Sequence, residues 1–159
     1  MQERVRYATA EPGVYKTMLG LHHYLQRCGL DPRLLDLVYL RASMINGCAY
    51  CVDMHWKDLR AAGEPEQKLY MLSAWREWPG YTPRERAALE WTDAVTRLAD
   101  GEVADGVYDT ARAQFSDAEL ANLTLAVAAI NSWNRLNIAF RTEPGGYQPQ
   151  TTAAGRAAT

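Results

Sequence analysis

Apolar residues in this chain recur at the three- and four-residue spacing of amphipathic helices, and no segment of useful length alternates as a strand does. The segment 32–46 is typical, because one stripe along it holds Leu34, Val38, Ala42 and Ile45. One face of that helix is therefore expected to be buried. The sequence contains no internal repeat. This pattern predicts an all-α fold, a single-domain helical bundle.

Capping signals divide the chain into individual helices. Thr82 and Glu85 form a capping box, as do Ser116 and Glu119, so a helix is expected to begin at each pair. Gly63 supplies a left-handed closing residue for the helix before it. The helices predicted in this way cover about 13–28, 32–46, a third segment that holds two cysteines and ends near 62, then 65–73, 83–98, 105–114 and 117–140.

Length and composition indicate one domain. At 159 residues, of which 48% are hydrophobic, the chain can bury one substantial core. We assign this domain to residues 1–141. From residue 142 to residue 159, Pro, Gly, Gln, Thr and Ala dominate and large aliphatic side chains are absent. That composition predicts a flexible C-terminal tail unless a partner subunit holds it.

Charge and hydropathy exclude two classes of partner. The net charge of −2, from 17 basic and 19 acidic residues, gives no electrostatic footprint for nucleic acid or an anionic membrane. The N-terminus lacks the apolar core of a signal peptide, and no apolar run approaches the ~18 residues that span a bilayer. We therefore expect a cytoplasmic protein. In that compartment a close pair of cysteines indicates a catalytic or metal-binding site.

The strongest chemical signal is formed by Cys48, Cys51 and His55, two thiols and an imidazole within eight residues. On a helix, positions three and four apart are neighbours, so the three groups are expected to share one face. The thiolate is the reactive form, and an ordinary cysteine with a pKa of about 8.5 is mostly protonated at neutral pH. A helix start and a nearby imidazole both lower that pKa. The spacing therefore favours a redox site that uses no cofactor and no metal.

A structural zinc site is the main alternative at these cysteines. Zinc usually takes four Cys or His ligands, and the sequence offers no second C-x-x-C or H-x3-H pair. Inert core cysteines are a further alternative. Cys28 stands alone near a helix end, where the expected role is that of a small buried hydrophobe. His22 and His23 point in divergent directions on a helix, so they cannot both face one site.

The segment from Leu40 to His55, LRASMINGCAYCVDMH, resembles the AhpD-like alkylhydroperoxidases of the carboxymuconolactone decarboxylase superfamily. The resemblance covers roughly residues 13–141 and includes the shorter segments 61–64, 75–77, 85–89 and 130–135. It implies an all-helical subunit that assembles as a homotrimer or homohexamer. It also implies the reduction of a peroxide substrate through the cysteine pair.

The resemblance further implies a role for Asp36, which lies twelve positions before Cys48. In the founding peroxidases an acidic residue at that position completes a proton relay with the equivalents of His55 and Cys51. Those enzymes have glutamate there, and the shorter aspartate loses about 1.5 Å of reach, which leaves room for a bridging water. They also have a histidine between the cysteines. This chain has Tyr50 instead, a poorer proton carrier at pH 7 because its reference pKa is near 10.

One mechanistic hypothesis follows. Cys51, deprotonated with help from His55 and Asp36, attacks the peroxide and becomes a sulfenic acid. Cys48 then forms a disulfide with it, which an external dithiol of unknown identity reduces. A local argument favours Cys48 as the attacking residue instead, because it lies nearer the helix N-terminus. The rival interpretations are a thiol-disulfide redox protein that is not a peroxidase, and a non-enzymatic zinc-binding or assembly module.

The last predicted helix is apolar on several sides and also carries polar side chains that need partners if they are buried. Its large apolar residues are Leu120, Leu123, Leu125, Val127, Ile130, Trp133, Leu136 and Ile138. The polar group comprises Asn131, Asn134, Arg135 and Asn137. These polar side chains indicate an interface or a buried network. A symmetric partner subunit would cover both the apolar surface and the polar side chains of this helix. We therefore predict a closed homo-oligomer, a homotrimer or a homohexamer.

Overall fold

A computed structural model describes residues 2–149, and all of the regular structure within them is helical. The α-helices are α1 (Tyr7–Ala10), α2 (Pro12–Leu25), α3 (Pro32–Asn46), α4 (Ala49–Ala61), α5 (Glu66–Tyr70), α6 (Pro83–Arg97), α7 (Asp105–Arg112) and α8 (Asp117–Phe140). Two short 3₁₀ segments, Met71–Ala74 and Ala99–Gly101, follow α5 and α6. The predicted all-α fold class is confirmed.

The helix starts follow the capping chemistry of the sequence. Both predicted capping boxes are present, at Thr82 before α6 and at Ser116 before α8. Helix α3 begins after Asp31, whose carboxylate accepts a hydrogen bond of 2.8 Å from the N–H of Arg33. One helix end differs from its prediction: α2 ends at Leu25 rather than near residue 28. The four-residue helix α1 was missed, since it is too short to show periodicity and has no side-chain cap.

Helix α3 lies at the centre of the bundle and contacts α4, α6 and α8. One side of it, including Val38 and Ala42, belongs to a core shared with α2, α6, α7 and α8. Another side, with Leu37 and Leu40, belongs to a second core shared with α4, α5 and α6. Burial of α3 is therefore wider than the single face that its apolar stripe predicts, because neighbours cover it on more than one side.

A buried ion pair joins α3 to α6. The guanidinium of Arg41 donates two hydrogen bonds, of 2.6 and 2.9 Å, to the carboxylate of Asp93, which is 3% exposed. Arg76 and Arg97 also contact this carboxylate. Burial alone would raise the pKa of Asp93, but the hydrogen bonds from Arg41 and Arg76 outweigh it and lower that pKa to about 2. The pair fixes α3, which carries part of the candidate site, against the bundle.

Helix α8 is only partly enclosed within one subunit. Leu123, Val127 and Ile130 are buried, whereas Leu136 is half-buried and Ile138 is 45% exposed. Within the polar group on this helix, Asn134 and Asn137 are buried, Asn131 is half-buried and Arg135 is exposed. The predicted buried network therefore exists inside one subunit. Oligomeric state stays a prediction.

The segment 142–149 follows α8 and lies against α4. The ammonium group of Lys57 donates hydrogen bonds of 3.1 Å to the backbone carbonyls of Gly145 and Tyr147. The first part of the predicted flexible tail is thus tied to its own subunit, without a partner. Residues 150–159, the rest of that tail, lie outside the described part of the chain.

Between residues 2 and 149, no helix is both long enough and apolar enough to cross a membrane.

Candidate active site

The turn between α3 and α4 places the two cysteines in different backbone environments. Gly47 ends α3 in the left-handed region at φ 71°, a conformation that glycine adopts without strain. Cys48 is then the extended N-cap residue of α4, and Cys51 lies in the first turn of that helix. The expectation that Cys48, Cys51 and His55 all lie within one helix is therefore corrected. Only the last two do, and Cys48 precedes the first helical residue.

The two thiols are unbridged, lie close together, and are each 1% exposed. The pKa of Cys48 is lowered to about 7, chiefly because the Cys51 side chain hydrogen-bonds to it, although burial opposes this effect. The pKa of Cys51 is raised, because it is the donor in that hydrogen bond and because it is buried. The pair therefore loses its first proton more readily than an isolated cysteine does, and the remaining proton is shared between the two sulfurs.

Beside the pair lies a histidine fixed by a carboxylate, as the resemblance implied. The Nδ1 atom of His55 lies 3.1 Å from Oδ1 of Asp36, so the shorter aspartate reaches the imidazole directly and no bridging water is needed. His55 is 6% exposed. Its Nε2 atom has no hydrogen-bond partner among residues 2–149. With Nδ1–H donated to Asp36, Nε2 is a proton acceptor.

His55 and Cys51 line one cavity of about 180 Å³, whereas Cys48 does not. The cavity wall is mainly aromatic and aliphatic, with two imidazoles, one thiol and one amide, and none of its residues is Lys, Arg, Asp or Glu. His22 also lines it while His23 is exposed, so the predicted divergence of these two side chains is confirmed. Burial lowers the pKa of His22. The lining residues are Tyr7, Tyr15, Leu19, His22, Leu25, Tyr39, Tyr50, Cys51, Met54, His55, Ala129, Ile130, Trp133 and Asn137.

Two buried amides of α8 complete the polar surroundings of the sulfurs. The Nδ2 group of Asn137 donates a hydrogen bond of 3.4 Å to Sγ of Cys51. The phenol of Tyr7 in turn donates a hydrogen bond of 3.2 Å to Oδ1 of Asn137. Asn134 receives a hydrogen bond of 2.9 Å from Asn46 and donates one of 3.0 Å to Ser43. Sequence reasoning singled out the amides of this helix as polar groups in need of partners, but did not connect them to the thiols.

Tyr50 and Cys28 lie in different parts of the subunit. Tyr50 lines the cavity, and burial together with the neighbouring Cys51 raises the pKa of its phenol, which makes it a still weaker proton carrier. Cys28 is half-buried in the turn between α2 and α3 and packs against the main core. That packing supports the role of a small hydrophobe.

A second carboxylate lies next to the histidine. Ligand atoms of Asp36, His55 and Asp58 all lie within 4.8 Å of one another. These three side chains have the geometry of a cation site. Among the described residues, neither Cys48 nor Cys51 belongs to that group. The phenol of Tyr147 donates a hydrogen bond of 2.7 Å to Asp58, and burial raises the pKa of that carboxyl. Sequence reasoning missed Asp58, although it follows His55 by three helical positions.

Comparisons with known proteins agree with the fold and the motif. A family profile described as carboxymuconolactone decarboxylase family matches residues 12–94. The uncharacterized protein YdfG of Bacillus subtilis is 37% identical over 140 residues, which cover 88% of this chain and 95% of YdfG.

Solved structures share the same architecture. A protein of unknown function from Agrobacterium tumefaciens, whose proposed assignment is the antioxidant defence protein AhpD, superposes with a TM-score of 0.88 at 46% identity. The match covers 92% of this chain and all of that one (100%). An uncharacterized peroxidase-related protein from Ralstonia eutropha JMP134, with an alkylhydroperoxidase AhpD core, has a TM-score of 0.78 at 21% identity, covering 87% and 74% of the two chains. At that identity the likeness concerns the fold alone.

The chain belongs to the carboxymuconolactone decarboxylase family, in its AhpD-like group, because the family profile, the sequence of YdfG and the helical architecture around the paired cysteines all match it.

Proposed function

We propose that this protein is a thiol-dependent peroxidase that reduces organic hydroperoxides through Cys51 and Cys48. One observation carries the proposal: the Cys51 thiol and a buried His55, held by Asp36, border the same cavity. Nucleophilic catalysis needs a nucleophile, a proton acceptor and a group that orients the acceptor. Cys51, His55 and Asp36 would fill these three roles.

The first chemical step takes place at Cys51. His55 accepts the thiol proton at Nε2, and the thiolate attacks the terminal oxygen of the hydroperoxide. A sulfur–oxygen bond forms while the oxygen–oxygen bond breaks, which leaves an alkoxide. The protonated His55 returns its proton to the alkoxide, so an alcohol departs and Cys51 remains as a sulfenic acid. Sulfur is oxidised by two electrons and the peroxide is reduced by two.

The second step takes place at the neighbouring thiol. Cys48 attacks the sulfenic sulfur as its proton is removed, a sulfur–sulfur bond forms while the sulfur–oxygen bond breaks, and the leaving hydroxide takes that proton to become water. The product is the Cys48–Cys51 disulfide. An external dithiol then supplies two electrons and two protons and restores both thiols by exchange.

The cavity wall supports a neutral organic substrate. Aromatic and aliphatic side chains stabilise an alkyl or aryl group by burial, and no cation in the wall pairs with a carboxylate. We therefore expect faster oxidation by cumene hydroperoxide than by a fatty-acid hydroperoxide at pH 8. Equal rates for the two substrates would contradict this assignment of substrate class.

The proposal is tested by counting thiols after one equivalent of cumene hydroperoxide. The reduced protein should lose two of its three free thiols, and peptide mapping should find Cys48 joined to Cys51. Dithiothreitol should restore both. Three free thiols after saturating peroxide would exclude the redox function, and a bound zinc ion released on thiol modification would support the rival zinc module instead.

A further inference from the structure

We propose that Asn137, held in orientation by Tyr7, is a positioning residue that directs the negative charge of the cysteine pair onto Cys51. The proposal deepens the proposed function, because Cys51 is the sulfur that faces the cavity. Neither side chain belongs to the relay of Cys51, His55 and Asp36.

The geometry forms a chain of two hydrogen bonds. Asn137, 5% exposed, donates from Nδ2 to Sγ of Cys51 at 3.4 Å, and the Tyr7 phenol donates to Oδ1 of the same amide at 3.2 Å. The ring of Tyr7 packs against Trp133 and Phe140, with ring centroids 6.5 and 5.9 Å apart. Aromatic packing therefore fixes the phenol, and the phenol fixes the amide.

The orientation of the amide matters because its two ends act oppositely on sulfur. An N–H group donates more strongly to a thiolate than to a neutral thiol, since charge-assisted hydrogen bonds are stronger. An amide oxygen in the same position repels the thiolate. Tyr7 donates to Oδ1 in the orientation that presents Nδ2 to Cys51, and it favours this orientation over the flipped one because a phenol is a better donor than acceptor.

The pair needs such a donor because its own hydrogen bond favours the wrong sulfur. When Cys51 donates to Cys48, the charge lies on the sulfur that does not line the cavity. Moving the shared proton to Cys48 transfers the charge to Cys51 without any exchange with solvent. A hydrogen bond from Asn137 stabilises that second arrangement, and a net gain of about 0.5–1.5 kcal/mol corresponds to roughly two- to twelvefold more reactive thiolate.

Other titratable groups around Cys51 come from every neighbouring helix except α8. They are Cys48, Tyr50 and His55 beside it on the α4 segment, Tyr7 on α1, Tyr15 and His22 on α2, and Tyr39 on α3. Helix α8 presents one amide, Asn137, and apolar groups to the cavity and no charge. Its influence on the sulfur is therefore that of a fixed dipole, which does not itself titrate.

The test is Tyr7→Phe, which removes one hydroxyl and keeps the ring. Reduced protein is labelled with iodoacetamide between pH 6 and 10, and fragmentation mass spectrometry measures the rate at Cys51. The rate should reach a plateau once the pair has lost its first proton, and the Tyr7→Phe plateau should be about three- to tenfold below wild type. Raising the pH should not restore it, because the variant changes where the charge lies within the pair.

Tyr108→Phe is the matched control, because Tyr108 lies on α7 outside the cavity, packs on Trp91, and makes no hydroxyl hydrogen bond among the described contacts. Its plateau should equal that of wild type. Asn137→Asp, which offers oxygen to the sulfur, should label more slowly than Tyr7→Phe. An unchanged Tyr7→Phe plateau, or an equal loss in Tyr108→Phe, would overturn the proposal.

The measurement also separates this proposal from a purely structural role. Loosened packing would expose a buried thiol and speed labelling, whereas lost charge on Cys51 slows it. Iodoacetamide replaces peroxide as the probe, so the result stands even if the protein proves to reduce no peroxide. Thiol loss with cumene hydroperoxide, run in parallel on wild type, reports the proposed function separately.

Discussion

The two sides of the candidate site are built in different ways. On one side, the α3–α4 segment supplies Cys48, Cys51 and His55 within eight consecutive residues, and Asp36 one helix earlier. On the other side, the ends of the described chain meet, where Tyr7 of α1 contacts Asn137 of α8 across 130 positions. The first side carries the reactive groups, and the second sets their orientation and the shape of the cavity.

That difference teaches how function is divided in this fold. A local motif guarantees that nucleophile and base lie close, because helical spacing brings positions four apart together. It does not decide which sulfur holds the charge. Contacts from distant helices add to the local Cys48–Cys51 hydrogen bond in setting that balance, because Asn137 of α8 donates to Cys51. Removing motif residues should therefore abolish chemistry, whereas changes elsewhere should tune rate or stability.

The largest effect is expected from the cysteines themselves. Cys51→Ser should abolish peroxide-dependent thiol loss, because serine is not oxidised to a sulfenic acid. Cys48→Ser should still react once and then stop at the sulfenic acid, which a dimedone adduct on Cys51 would reveal by mass spectrometry. Cys28→Ser is the control and should behave as wild type. A dimedone adduct on Cys48 in the Cys51→Ser variant would reverse the assigned roles.

A smaller, pH-dependent effect is expected at the histidine. His55→Gln should slow oxidation of Cys51 about 100-fold at pH 7, because a general base is lost, and much less at pH 9. At pH 9 hydroxide takes the thiol proton in place of the histidine, so only the return of a proton to the alkoxide is still lost. Asp36→Asn should act in the same direction, more weakly. Stopped-flow rates at the two pH values test this, and equal slowing at both would indicate lost structure rather than a lost base.

The buried ion pair should affect stability. With Arg41 present, the carboxylate of Asp93 has its pKa lowered to about 2 from an ordinary value near 3.9, so ionisation contributes about 2 kcal/mol to folding. This contribution is complete above pH 4 and is lost as the pH falls through 2. Asp93→Asn should lower the free energy of unfolding by about 3–5 kcal/mol at pH 7. Urea titrations at pH 7 and pH 3 measure it, with exposed Asp117→Asn as control.

The smallest effect on the chemistry is expected from assembly. Ile138 is 45% exposed on α8, and a homotrimer or homohexamer would cover it. Ile138→Glu should reduce the number of subunits measured by light scattering at micromolar concentration while leaving Cys51 labelling within about twofold of wild type. A wild-type particle of 17.9 kDa, a single subunit, would contradict the predicted oligomer.

The sequence by itself determined the helices and the reactive core of the site. Capping boxes at Thr82 and Ser116 are local hydrogen-bonding patterns, so they predict helix starts without reference to the rest of the fold. The proximity of Cys51 and His55 is equally local. The family resemblance supplied Asp36, which no spacing rule alone would have paired with His55.

Tertiary structure alone decided the remaining contacts. Arg41 meets Asp93 across 52 positions and Asn137 meets Cys51 across 86, and no periodicity in the sequence encodes pairs so far apart. Helical periodicity tells which side of a helix is apolar, but not which neighbour lies against it. The charge balance between two adjacent sulfurs depends on those neighbours, because burial and single hydrogen bonds each shift a thiol pKa.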